Sequence, residues 1–65
     1  MSLNVAAETI EVGDRIEVPE DDGVITARVD RIAKRFMSVG FEVTADDGRQ
    51  LVWGTGRSDS VNLVC

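Results

Sequence analysis

Few residues in this chain of 65 could carry catalytic or metal chemistry. It has no histidine and no tyrosine, and its one cysteine, Cys65, is the last residue. Nucleophilic catalysis needs a base beside the nucleophile, and zinc sites and disulfide frameworks need several histidine or cysteine ligands. The chain alone can build none of these. We therefore predict no catalytic, cofactor-binding or metal-binding residues and a protein that is not an enzyme.

Two acidic segments and one glycine-rich segment are weaker candidates for chemistry. Residues 20–22 (Glu-Asp-Asp) and 46–47 (Asp-Asp) offer oxygen ligands, but their spacing differs from an EF-hand loop, in which acids alternate and a glutamate closes the site. Residues 54–56 (Gly-Thr-Gly) lack the lysine and the following helix of a phosphate-binding loop. We predict solvated turn carboxylates and a loop between strands. Cys65 is interpreted as an incidental terminal thiol, with a disulfide between two copies as the alternative.

The charge distribution limits the class of partner. Seven basic and twelve acidic residues give a net charge of −5, opposite in sign to that of a dedicated nucleic-acid binder. The acids concentrate in residues 8–22, whereas four bases, Arg28, Arg31, Lys34 and Arg35, fall in one short stretch. A basic surface on an acidic protein is therefore expected in this stretch.

The aromatic residues complete the set of candidate contact residues. We expect Phe41 to pack in the core, with Trp53 either facing it across a hairpin or lying at a ligand groove. Phe36 and Met37 precede a strand and would form an exposed tip next to the basic stretch. The predicted partner-binding residues are Arg28, Arg31, Lys34, Arg35, Phe36, Met37 and Trp53.

Apolar residues alternate with polar ones along most of the chain, which is the period of half-buried strands. An arm over residues 1–9 is expected to be flexible, and a single domain over residues 10–65 begins with a turn at Gly13. Pro19 and the acidic turn end the first strand, and Asp-Gly at 47–48 predicts a hairpin. The predicted strands are 15–18, 24–32, 39–45, 49–54 and 61–64, with a loop over 54–60.

Residues 27–37 allow two interpretations. Ile25, Ala27 and Val29 alternate as in a strand, but Val29, Ile32 and Phe36 also have helical spacing. We favour the strand, in which the change of apolar parity between Val29 and Ile32 requires a bulge or a strong bend. If this segment were helical, the order of elements would be β-β-α-β-β.

Five short strands in this order, opened by Val-Gly-Asp-Arg-Ile-Glu-Val at 12–18 and followed by Gly-Val-Ile at 23–25, resemble a small Src-homology-3-type barrel. The first two strands are similar to KOW- and Tudor-like modules. The resemblance implies an all-β, five-stranded open barrel. It does not imply nucleic-acid binding, because the first connection is acidic where KOW modules are basic.

We therefore predict a non-enzymatic binding or assembly module whose partner is another protein or a second copy of itself. One alternative is a nucleic-acid-binding accessory protein that uses the basic stretch 28–35. A second alternative is an acidic mimic of nucleic acid that binds a basic partner through residues 8–22. No apolar run reaches the roughly 18 residues of a membrane span, so a cytoplasmic protein without membrane contact is expected.

Overall fold

The computed structural model describes residues 2–64, and over these residues the protein is all-β, as predicted. One antiparallel sheet has the strand order β1-β6-β2-β3-β4-β5 and is not closed. It contains six strands where five were predicted. The strands are β1 (Ser2–Ala6), β2 (Arg15–Glu20), β3 (Gly23–Lys34), β4 (Ser38–Ala45), β5 (Gln50–Gly56) and β6 (Ser60–Val64), with a 3-10 turn at Ala7–Thr9.

The sheet must be strongly curled. β5 and β6 lie four positions apart in the strand order, yet only residues 57–59 connect them. Four strand spacings in a flat sheet measure about 19 Å. The four steps from Gly56 to Ser60 span at most about 14 Å. The curl therefore brings β5, at one end of the strand order, toward β6, near the other end, around one core.

β3 covers most of residues 27–37, the segment for which the sequence allowed either a strand or a helix. It runs for 12 residues, and its pairing with β4 shifts register between Val29 and Arg31, which makes Asp30 a bulge. The strand with a bulge is confirmed, and the β-β-α-β-β alternative is wrong. Pairing with β2 on one side and β4 on the other outweighs the helical propensity of the segment.

The ends of two strands differ from the prediction. β2 continues through Pro19 to Glu20, because beyond Ile16 it pairs with β3 alone and its other side is an open edge that needs no N–H donor. β5 continues to Gly56, so the predicted loop over 54–60 is shorter and comprises residues 57–59. Gly54 lies opposite Gly40 in β4, which extends the ladder into the glycine-rich segment.

The first residues belong to the domain rather than to an arm outside it. β1 is antiparallel to β6, and Ala7 is fully buried. The backbone N–H groups of Ala7 and Glu8 donate to the carbonyl oxygens of Asp59 and Arg57 at 2.9 and 3.1 Å. Residues 2–6 thus pair within the sheet and Ala7 lies in the core, whereas the sequence led us to expect a flexible arm over residues 1–9. Met1 and Cys65, the residue interpreted as an incidental thiol, lie outside the described residues.

The core is a single cluster on the inner face of the curled sheet. Phe41 is fully buried, and its ring stacks on that of Trp53 at a centroid distance of 5.8 Å and an interplanar angle of 22°. The predicted cross-strand pair is therefore confirmed, with the two residues directly opposite in β4 and β5. The buried residues are Ala7, Ile10, Ile16, Val18, Ala27, Val29, Val39, Phe41, Val43, Ala45 and Val61.

Candidate contact surface

The structure divides the predicted basic stretch into two parts. Arg28 and Arg31 point outward from β3, and both are engaged by neighbouring acids. The Arg28 Nε lies 3.1 Å from an oxygen of Asp30, and the Arg31 Nε lies 3.7 Å from an oxygen of Glu42. These ion pairs partly neutralise the first half of the stretch.

The second half forms an exposed tip, which we define as residues Lys34–Met37. Lys34 ends β3, and a tight turn closed by the Arg35 N–H donating to the Ser38 carbonyl oxygen at 2.8 Å leads into β4. Phe36 is 85% exposed and Met37 is 70% exposed. Within residues 2–64, neither Lys34 nor Arg35 forms a salt bridge. The tip therefore presents two large apolar side chains beside two cations.

Arg57 holds the tip in place from the neighbouring β5–β6 turn. Its backbone N–H donates to the Met37 carbonyl oxygen at 3.3 Å, and its Nη1 donates to the Phe36 carbonyl oxygen at 3.4 Å. Its Nε donates to Glu8 at 2.9 Å. Arg57 was not among the predicted residues. Counting the β4–β5 ladder outward from Phe41 and Trp53 places residue 57 opposite residue 37, and this register is the signal that could have found it.

A shallow groove of about 430 Å³ runs beside the tip. The cationic side chains of Lys34, Arg35 and Arg57 line it, together with Glu8 and Thr9. The buried Val39 also lines the groove, which therefore combines charged and apolar residues.

Trp53 does not join the tip. It lies on the inner face of β5, packs against the core and stacks on Phe41, so its ring serves packing rather than a rim groove. The predicted contact residues are thus distributed over three places. Lys34, Arg35, Phe36 and Met37 are together, Arg28 and Arg31 are on the outer face, and Trp53 is on the inner face.

The predicted turn carboxylates make local hydrogen bonds. The Arg49 backbone N–H lowers the pKa of Asp47, and the Arg49 guanidinium also contacts Asp47 at 2.8 Å and Glu20 at 3.3 Å. At the other end, the Thr55 hydroxyl and then the Gly56 N–H lower the pKa of Asp59. Within residues 2–64 no three potential ligands group as a metal site.

On the outer face, the carboxylate of the bulge residue is also held. The Thr44 hydroxyl donates to Asp30 and is the main cause of the lowered pKa of that carboxyl, followed by the Arg28 side chain. Asp30 therefore stays ionised and keeps Arg28 in its ion pair. The outer face of β3 is consequently a balanced surface rather than a basic one.

Comparison with known proteins adds no family to this description. No protein-family model, curated protein or solved structure matches the chain. In the described part of the chain, no helix has the length and apolar character that a bilayer crossing requires.

Proposed function

We propose that this protein is a small, non-enzymatic binding module that contacts an acidic surface of another protein through the tip, Lys34–Met37. The observation that carries the proposal is the exposure of Phe36 and Met37, at 85% and 70%, next to two cations without a salt-bridge partner in residues 2–64. Adjacent exposed apolar side chains with a charged rim are typical of protein contact sites.

The barrel architecture is part of this proposal. Strands β2 to β5 follow one another as a meander, and β6 returns to pair with β2. The curl required by the short connection at 57–59 supports an open barrel of the Src-homology-3 type, with β1 added to β6. In such a scaffold the hairpin tips extend beyond the core, so they can contact a partner without disturbing the packing.

The charge of the partner follows from the cations at the tip. Lys34 and Arg35 lie next to Phe36, so a partner must cover an apolar side chain and place acids around it. Arg57 pre-orients the tip through two hydrogen bonds, which lowers the entropy cost of docking. A folded protein with an apolar pocket and an acidic rim has this chemistry.

Nucleic acid is the competing partner, but the surface has few unpaired cations that could bind its phosphates. Phosphate binding needs several free cations along a track. Arg28, Arg31 and Arg57 are each paired with a carboxylate, which leaves Lys34 and Arg35 as a short basic surface. The second alternative, an acidic mimic that binds a basic partner through residues 8–22, is disfavoured for a similar reason. Two of its acids, Glu8 and Glu20, form ion pairs with Arg57 and Arg49.

The test compares capture of cellular proteins by four immobilised forms: wild type, Phe36→Ser/Met37→Ser, Lys34→Glu/Arg35→Glu, and the control Val12→Ser. Val12 is also an exposed apolar residue, at 63%, but it lies in the loop before β2. We expect a protein retained by wild type and the control, and lost by both tip variants. Equal capture by all four forms would contradict the proposal.

A titration with a short DNA duplex at low and moderate salt separates the competing partner. We expect no shift of the backbone amide signals of residues 34–37 at either salt concentration. Shifts at these residues that disappear with salt would instead assign the tip to nucleic acid, since counterion release makes phosphate contacts salt-sensitive.

A further inference from the structure

The outer edge of β5 is the longer of the two outer edges of the sheet, since β1, at the other end of the strand order, has five residues and β5 has seven. β5 is the last strand in the sheet order and has no neighbour on one side among residues 2–64. Its seven residues, Gln50–Gly56, include no charged residue and no proline, which are two common means of blocking strand addition at an edge. By contrast, the free side of β2 contains Pro19.

The backbone groups that face this edge can be identified from the ladder with β4. The Ala45 N–H donates to the Arg49 carbonyl oxygen at 2.8 Å, and the Arg57 N–H donates to the Met37 carbonyl oxygen at 3.3 Å. Antiparallel hydrogen bonding alternates along a strand, so odd-numbered residues of β5 face β4 and even-numbered residues face outward. The outward groups are therefore those of Gln50, Val52, Gly54 and Gly56.

At the Gly56 end of this edge, the outward backbone N–H group already has a hydrogen-bond partner. The Gly56 N–H donates to the Asp59 carboxylate at 2.9 Å, and Thr55 donates to the same oxygen at 2.8 Å. No backbone hydrogen bond outside the regular strand ladder, and no side-chain hydrogen bond, involves Gln50, Val52 or Gly54 in the described chain. A strand added here thus has three consecutive outward residues with which to pair.

We propose that β5 pairs antiparallel with β5 of a second copy of this chain, in the register that places Val52 opposite Val52 of the second copy. In this register Gln50 of each copy lies opposite Gly54 of the other, so all three outward residues are paired and their N–H and C=O groups are satisfied. The two-fold axis passes through Val52. The interface continues the sheet from one copy into the next and goes beyond the contact proposed for the tip.

Charges at the ends of β5 favour this register over the neighbouring one. A shift that centres the pair on Trp53 would place Arg49 opposite Arg57 of the second copy and would direct Gln50 to the occupied Gly56. With Val52 at the centre, Arg49 instead faces Thr55, and Asp47 lies toward Arg57. Like charges directly opposite each other destabilise a strand pair, whereas opposite charges stabilise it.

Side chains on both faces gain cover in the same register. Val52 is 82% exposed on the outer face and would contact Val52 of the second copy across the two-fold axis. On the inner face Leu51 would lie opposite Trp53 of the second copy, and both are only partly buried. Because Trp53 is the only tryptophan, its fluorescence reports directly on this contact.

The test follows the molecular mass of the full chain by sedimentation over a range of concentrations, together with amide hydrogen exchange. We expect a concentration-dependent dimer, a blue shift of Trp53 emission, and protection of the Val52 and Gly54 amides only in the dimer. Val52→Lys should raise the dimer Kd at least about tenfold, because two lysines would face each other and the valine contact would be lost. Val12→Lys is the control at another exposed valine, outside β5, and should dimerise as wild type.

Val52→Pro provides a second variant, since it removes the outward N–H while leaving the ladder with β4 intact. Mass that stays monomeric at all concentrations, or a dimer that Val52→Lys and Val52→Pro leave unchanged, would overturn the proposal. The tip variant Phe36→Ser/Met37→Ser should keep the dimer. Failure of the tip contact and failure of the β5 pairing are therefore distinguished by different variants and different measurements.

Discussion

Val43 offers a sharp test of the assigned core, because the chain contains matched valines inside and outside it. Val43 is 1% exposed and lies between Val29 on β3 and Leu51 on β5, whereas Val12 is 63% exposed in a loop. The same substitution, Val→Ala, removes the same atoms at both positions. Any difference in unfolding free energy therefore measures burial and packing.

The expected size of the effect follows from this burial. Each buried carbon contributes about 0.8 kcal/mol of transfer free energy, and the cavity left behind adds to this, so Val43→Ala should cost about 2–3 kcal/mol. A chain of this length has a total stability of about 3–10 kcal/mol. The loss is thus a large fraction of the total and corresponds to about 10–20 °C in Tm. Val12→Ala should change the stability by less than about 0.5 kcal/mol.

The assay is urea unfolding followed by Trp53 fluorescence, at a protein concentration low enough to keep the chain monomeric. Calorimetry on the same variants gives the Tm independently of the fluorophore. If Val43→Ala and Val12→Ala lowered the stability equally, the inner face of β4 would not be the core, and the register of β3, β4 and β5 would have to be revised.

Two further predictions concern carboxylates that accept hydrogen bonds. Gly56→Ala should destabilise the fold by about 1 kcal/mol, since its Cβ would lie 2.9 Å from the Asp59 carboxylate that caps the Gly56 N–H. Gly54→Ala should be neutral or stabilising, since its Cβ would meet the Val39 carbonyl oxygen at 3.6 Å and the Gly40 Cα at 4.0 Å, which are ordinary contacts. Thermal unfolding compares the two variants, and equal Tm values would refute the cap. The lowered pKa values of Asp30, Asp47 and Asp59 mean that their contribution to stability is present above the ordinary pKa of 3.8 and is lost as the pH falls through the folded values. Urea unfolding at pH 6 and pH 3 should show this loss, and Asp59→Asn should make it smaller; a stability that rises on acidification would contradict the assignment.

The features that could be predicted from sequence are those set by local pattern. Alternating apolar residues located β2 to β6, and the change of parity between Val29 and Ile32 located the bulge. The hairpin at residues 46–48 placed Phe41 opposite Trp53. In each case the partner lies close along the chain, so its identity follows from the turn between the two strands.

The features that could not be predicted depend on residues far apart in the chain. β1 has five residues and pairs with β6. Across this pair the Asn4 side chain donates to the side chain of Asn62, which lies 58 positions away along the chain. Nothing in a short apolar segment specifies such a distant partner. The support of the tip by Arg57 is different, because it follows from the register of the β4–β5 hairpin and could have been found by extending that ladder.

The pairing of β1 with β6 also bears on how the order of the strands along the chain could be changed by circular permutation. Ser2 and Val64 are direct partners in that ladder, so their Cα atoms lie only about 5 Å apart. A short linker could therefore join the two ends, and new ends could be opened at the exposed Asp21-Asp22 turn, which makes no core contact. The permuted chain would keep every strand neighbour while the long-range β1–β6 pair became a local hairpin. Its folding rate should change little, since β2–β3 would then replace β1–β6 as the pair whose loop closure spans the whole sequence.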